Sequence, residues 1–291
     1  MRRRLPLGLA AVGLALAAAA CVIAILAQTG DASLARLRDA GTIRIGYAIE
    51  APYAFLDADG TVTGESPEVA GQVVARLGIR HIQWRLVEFG DLIPELEAGR
   101  IDVIAAGMFI TIGRAQRVSF SEPTFHVQQG LLVRSGNPRQ FHSYEQALAQ
   151  AGVRIAVISG AVEEGLLRRL GASDTQLLVV PDALTGRLAV ESGVADGLAL
   201  SSPTVRSMAL REQLGRTEVA QPFVQPRDTS QEPSGYGAFA FRRGDRQLLE
   251  AWNAVLKTYV GSQEHLELVA RFGFTELDMP SSSPGPEASA R

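Results

Sequence analysis

The sequence predicts an α/β fold built as two lobes joined by a pair of crossing segments. Three observations carry this. From Leu34 onward, short β-like runs alternate with stretches of helical apolar period. The alternation runs to Gly107, lapses, and restarts at Val153. A chain of 291 residues is long enough for one large domain or two ordinary ones.

Ahead of the first lobe, Met1-Arg2-Arg3-Arg4 precedes an uncharged Leu- and Ala-rich run from Leu5 to Ala27. Positive charge before an apolar run is the signature of export. Residues 1–27 therefore read as a signal peptide cleaved after Ala27, or as an uncleaved membrane anchor, since the run can also span a bilayer. Either way, the remainder works on the periplasmic or extracellular face of the cytoplasmic membrane. Ala18-Ala19-Ala20-Cys21 has the look of a lipoprotein processing site, but the apolar Val22-Ile23-Ala24-Ile25 behind it argues against one. Cys21 is the single cysteine, so the exported part has no disulfide and no thiol chemistry.

Thr42 to Ala48 reads as the first strand. Ser66-Pro67-Glu68 then opens a helix with serine as N-cap, and Val69, Ala70, Val73, Val74 and Leu77 form its apolar face before the exit at Gly78. Ile82 to Phe89 is the second strand. Asp91 caps a helix that turns Leu92, Ile93 and Leu96 inward and ends at Gly99, and Ile101 to Gly107 is the third strand. In the second unit, Val153 to Gly160 is a strand followed by a helix opening near Glu163-Glu164. Gln176 to Pro181 and Ala195 to Ser201 are strands around a helix from Ala183 to Ser192. Gly130 to Arg134 and Gly235 to Arg242 flank this unit as the expected crossings, and a helix from about Gln247 to Tyr259 returns to the first lobe. Lobe 1 is thus expected at 31–130 plus 236–278 and lobe 2 at 131–235. Residues 279–291, mostly Ser, Pro, Gly and Ala, form a disordered tail.

Composition narrows the function. A net charge of -3 offers no basic footprint, which excludes nucleic acid as a partner. His81, His126, His142 and His265 are scattered, with none of the short spacings of a metal site. There is no phosphate-binding loop, no nucleophile elbow and no dinucleotide fingerprint, so no cofactor is expected and an enzyme is disfavoured. What remains is a set of side chains just beyond strand ends, where open α/β sheets bind ligands. Glu50 and Tyr53 follow the first strand, Phe89 ends the second, Phe109 and Arg114 follow the third, and Glu163 follows the first strand of the second unit. Singly, each has an ordinary structural role as core aromatic, helix-dipole acid or surface arginine. Their shared address is what points to a site.

In these residues the chain resembles the extracellular solute-binding proteins, family 3, of polar amino acid ABC importers. The likeness covers roughly Leu37 to Met279. It rests on Gly41-Thr42-Ile43-Arg44-Ile45-Gly46-Tyr47, Gly64 to Ala70, Leu92 to Gly107, Thr111-Ile112-Gly113-Arg114, Phe120-Ser121-Glu122-Pro123 and Gly235-Tyr236-Gly237. Within that family it is most similar to the ectoine/hydroxyectoine-binding branch, through Glu50-Ala51-Pro52-Tyr53, Gly64-Glu65-Ser66-Pro67, Gly107 to Thr111 and Phe272 to Glu276. The resemblance implies the type II periplasmic-binding-protein fold and a monomeric receptor that delivers a small zwitterionic solute to importer membrane subunits. It also implies that Arg114 holds the ligand carboxylate, that Tyr53, Phe89 and Phe109 form an aromatic box, and that Glu50 and Glu163 meet cationic ring nitrogens. Gly113 departs from the acid that commonly precedes the arginine, and Val162 replaces a polar residue expected in the ectoine branch. Asp196 stands where amino-acid binders often grip the ligand ammonium. Two rival readings share the fold: a polar amino-acid binder, and a cyclohexadienyl dehydratase-like enzyme with Glu163 or Glu50 as its acid.

Overall fold

The computed structural model describes residues 31–211, 215–227 and 235–280. Residues 1–27 lie outside the described residues, as does the tail beyond Pro280. Among the described residues no helix is long and apolar enough to cross a membrane.

The chain enters through α1 (Ser33–Ala40) and β1 (Thr42–Tyr47), whose Ile43 and Ile45 are fully buried. β2 (Phe55–Leu56) and β3 (Val62–Thr63) make a small antiparallel ribbon. There follow α2 (Glu65–Arg76), β4 (His81–Leu86), α3 (Leu92–Glu97), β5 (Val103–Ile104), α4 (Ile112–Ala115) and β6 (Val118–Phe120). β1 lies between β4 and β5 and runs parallel to both. In β1 the buried Ile43 and Ile45 alternate with half-buried Thr42 and Arg44, and burial becomes continuous at Gly46 and Tyr47, where the strand approaches the site. α2 buries Val69, Ala70, Val73 and Val74, the face its apolar spacing predicts.

β7 (Phe125–His126) leads out of the first lobe, and β8 (Gln129–Arg134), α5 (Tyr144–Leu148), β9 (Ile155–Ile158) and α6 (Val162–Arg169) build the second. β10 (Leu177–Val180), α7 (Ala183–Ser192), β11 (Gly197–Ser201), α8 (Ser202–Arg211) and β12 (Thr217–Val219) complete it. Its sheet has the order β10-β9-β11-β8-β12, with β9 parallel to β10 and β11, and β8 antiparallel to β11 and β12. β13 (Tyr236–Gly237) pairs with β7, and β14 (Ala240–Arg242) then enters the first sheet, whose order is β4-β1-β5-β14-β6. α9 (Arg246–Tyr259) and α10 (Gln263–Ala270) close over lobe 1, with Trp252 fully buried against Phe239 and Phe241 at ring distances of 5.1 and 5.3 Å.

Several sequence expectations need correction. Gly130 to Arg134 is not a crossing but most of β8, fully inside the lobe-2 sheet; the paired link between lobes is the β7–β13 ribbon. Ala240–Arg242, expected as part of the second crossing, is a lobe-1 strand. The second strand stops at Leu86, and Phe89 opens a one-turn 3-10 helix instead. Ser66 does not cap α2, which begins at Glu65 behind Gly64.

Candidate functional site

The carboxyl ends of β1, β4 and β5 face those of β9 and β11, so the loops of both lobes meet in one cleft. On the lobe-1 side, the turn after β1 is cinched by two backbone hydrogen bonds, Glu50 N–H to Ala54 O at 2.8 Å and Ala54 N–H to Glu50 O at 3.0 Å. This turn presents Glu50 and Tyr53 together. The Tyr53 ring is buried against Phe125 at 4.9 Å and Phe274 at 5.6 Å. A Cβ added at Gly107 would run into that same ring, so the close approach of the β5 exit depends on glycine there. Phe109, also buried, bridges its backbone to Gly237 and sets its ring edge-on to Phe125 at 5.9 Å. Phe125 thus joins Tyr53 and Phe109 into one aromatic cluster. Phe89 stands apart from it, half-buried, packed against apolar residues of both lobes and 5.4 Å beneath the Arg114 guanidinium.

Arg114 sits in the single turn of α4, whose N-cap Thr111 accepts the Arg114 N–H at 3.1 Å. Its guanidinium donates to Phe109 O at 2.6 Å and, across the cleft, to Gly160 O at 2.8 Å. The arginine therefore touches both lobes.

Glu163 lies in the first turn of α6 and is only 4% exposed. Burial, and then the nearby Glu50 carboxylate, push its carboxyl up to about 8, against the opposing pull of its own backbone N–H, Arg114 and Gln129. Burial likewise pushes Glu50 up to about 7, with the Thr204 hydroxyl acting in the opposite direction. A third acid joins them. Glu65, 1% exposed, is raised by burial to about 7, against the opposing pull of the Ser66 and Thr124 hydroxyls; Ser66 Oγ–H donates to its Oε2 at 2.6 Å. The Tyr53 hydroxyl is held well above its ordinary value by burial, against its hydrogen bond with Ser201, with the negative charges of Glu50, Glu65 and Glu163 adding to the rise.

Direct bonds also run from lobe 1 to the end of β11. Tyr53 Oη–H donates to Ser201 Oγ at 3.0 Å, Ser201 Oγ lies 3.1 Å from Thr204 Oγ1, and Thr204 Oγ1–H donates to Glu50 Oε1 at 2.7 Å. A cavity of about 220 Å³ opens between the Arg114 turn and α6, lined by Phe109, Arg114, Gln129, Val162, Leu166 and Arg169 among others; none of the four residues of this network lines it. Of the six residues singled out in the sequence, Phe109 and Arg114 line it; within lobe 1 Phe89 lies under Arg114 and Tyr53 reaches Phe109 through Phe125, while Arg114 acts across the lobes on Glu163 and Glu50 bonds to Thr204 of lobe 2. Val162 supplies an apolar wall there. Asp196 does not approach the site: it stands at the opposite end of β11, accepting from Arg154 N–H at 2.9 Å and pairing with Arg139 at 2.9 Å.

Sequence reasoning missed Glu65, Phe125, Ser201 and Thr204. An acid in a first helical turn reads as a dipole partner, and Ser201-Ser202-Pro203-Thr204 reads as a helix start. Among the described residues no group of three or more His, Cys, Asp or Glu is arranged to hold a metal ion.

Residues 43–275 match the model of the bacterial extracellular solute-binding proteins, family 3. A probable amino-acid ABC transporter periplasmic-binding protein of Sinorhizobium fredii is 34% identical over 260 residues, 88% of this chain and 85% of that protein. The lysine/arginine/ornithine-binding periplasmic protein of Escherichia coli is 26% identical over 238 residues, 79% of this chain and 85% of that protein. Among solved structures, EhuB in complex with hydroxyectoine superposes with a TM-score of 0.77 at 29% identity, covering 84% of this chain and 93% of EhuB.

Proposed function

Because this chain belongs to the bacterial extracellular solute-binding proteins, family 3, we propose that it captures a small zwitterion of the ectoine and hydroxyectoine type and hands it to the membrane subunits of an ABC importer. The observation that carries this is the gathering, where the lobes meet, of Arg114, whose charge acts on the buried Glu163, with the half-buried Glu50 and the rings of Tyr53, Phe89 and Phe109. Ectoine carries a carboxylate on a ring with a delocalised amidinium. A planar guanidinium takes a carboxylate through two parallel charge-assisted bonds, which a lysine does less well. A soft ring cation suits aromatic faces, each contact contributing roughly 0.5–2 kcal/mol according to desolvation. Glu50 and Glu163 would accept from the ring N–H groups. Such a ligand balances the excess of buried acid over arginine, and its arrival favours the ionised carboxylates. Closure of the lobes (31–130 with 236–278, and 131–235) about the ribbon would exclude water and strengthen each charged contact. Support comes from the likeness to EhuB, whose solved complex contains hydroxyectoine.

A polar amino-acid ligand is the second reading, favoured by the relatives from S. fredii and E. coli. Calorimetry with ectoine, hydroxyectoine, arginine, glutamine and histidine separates the two. Ectoine or hydroxyectoine is expected to bind tightest, and any amino acid that outbinds both overturns the assignment. Phe109→Ala is expected to weaken ectoine roughly tenfold or more, through loss of a ring face and of its edge contact with Phe125.

A further inference from the structure

We propose that Ser201 and Thr204 of lobe 2 are positioning residues that set the Glu50 carboxylate and the Tyr53 ring for a cationic ligand from across the contact between the lobes. The inference rests on the ligand reading above and adds to it how lobe 2 orients the acid and the ring of lobe 1. Both hydroxyls are buried, at 2% and 0% exposure. Each has a single proton to give. Thr204 gives its proton to Glu50 Oε1, so at the 3.1 Å contact it must accept from Ser201. Ser201, having given its own proton, accepts from Tyr53. The chain Tyr53→Ser201→Thr204→Glu50 therefore has one direction, and it starts and ends on the same lobe-1 turn while passing through lobe 2.

Two consequences follow for a ligand. Oε1 of Glu50 is occupied by the threonine, so the other carboxylate oxygen is the one turned to a ligand N–H. The Thr204 hydroxyl also favours the charged form of Glu50, offsetting burial. Other ionisable groups act on the cluster: Glu163 on α6 interacts with Glu50, Arg114 on α4 interacts with Glu163, and Glu65 on α2 interacts with Tyr53. None of these donates a hydroxyl hydrogen bond to Glu50, so the threonine effect is separable from theirs.

The test uses the exported chain with Thr204→Val, Thr204→Ser, Ser201→Ala and Tyr53→Phe. Carboxyl carbon-13 NMR follows the Glu50 titration without ligand, and calorimetry follows ectoine affinity against pH. Thr204→Val is expected to move the Glu50 midpoint upward and to weaken binding roughly tenfold, while Thr204→Ser restores both. Ser201→Ala and Tyr53→Phe, one and two links back, are expected to produce smaller upward shifts in that order. A Glu50 midpoint identical in wild type and Thr204→Val overturns the proposal, as does a serine variant no better than valine. If wild-type protein takes neither ectoine nor hydroxyectoine, the ligand reading alone fails, because the NMR titration still decides the positioning.

Discussion

At the residue scale, the acids decide the chemistry. Glu163 keeps its proton in the folded chain at pH values where an unfolded chain has lost it. The folded state thus binds more protons between about pH 4.5 and about pH 8, so stability falls as pH rises through that window. Glu163→Gln, which cannot ionise, is expected to melt above wild type at alkaline pH. The gain should be on the order of a few degrees, shrinking to nothing on the acid side of the window while ectoine affinity falls. Calorimetric melting across the pH range checks this; a gain that does not vary with pH would mean that packing, not charge, sets it. Glu163, Arg114, Phe109 and Tyr53 could be picked from the sequence because a strand end is a legible address. Ser201 and Thr204 could not. Their importance lies in bonds to Tyr53 and Glu50 across 148 and 154 residues of chain, and no local pattern encodes that. Glu65 was hidden for another reason: an acid at a helix start is ordinary until its burial is known.

At the element scale, long periodic segments were readable and short hinge pieces were not. The helix expected from Ala183 to Ser192 has those bounds, since its Asp182 cap and Gly193 exit are both local signals. Ser66 sent the same signal falsely. Its hydroxyl instead accepts the Gly107 N–H at 3.0 Å and donates to Glu65, which ties the start of α2 to the exit of β5. The crossing was misplaced because β8 and the β7–β13 ribbon are extended alike, and only hydrogen-bond partners tell them apart. That ribbon also supports the site. A Cβ at Gly237 would strike the Phe125 ring, which is 1% exposed and held between Tyr53, Phe109 and Phe274. Gly237→Ala is therefore expected to cost about 1–3 kcal/mol through overpacking and to weaken ligand binding in parallel. Gly78→Ala serves as the control: with φ +74 and open space around it, it should cost about 1 kcal/mol of backbone energy and leave binding unchanged. Urea unfolding and calorimetry of the two variants decide between strain that reaches the aromatic cluster and strain that stays local.

At the scale of the whole molecule, affinity depends on where the charges lie relative to water. The chain has two populations of ion pairs and charged contacts. Arg76–Glu264 at 2.8 Å, with side chains 37% and 56% exposed, and Arg100–Glu95 at 2.6 Å belong to the solvated surface, where such pairs contribute about 0–1 kcal/mol and are screened by salt. Glu163 and Glu65 belong to the interior, and Arg114 reaches between lobes from a half-buried position. Salt ions screen exposed charges over a Debye length of about 8 Å at physiological ionic strength, but they cannot enter a cleft whose walls bond directly to each other. A zwitterion has no net charge to be steered by a protein of net charge -3, so the encounter rate should be nearly independent of salt as well. Raising sodium chloride from about 0.05 to about 0.5 M is therefore expected to change the ectoine Kd by less than about threefold. Titration calorimetry at the two concentrations reads this directly. A tenfold loss would place the solute at the exposed rim near Arg169 rather than between the lobes, and would separate affinity from closure altogether.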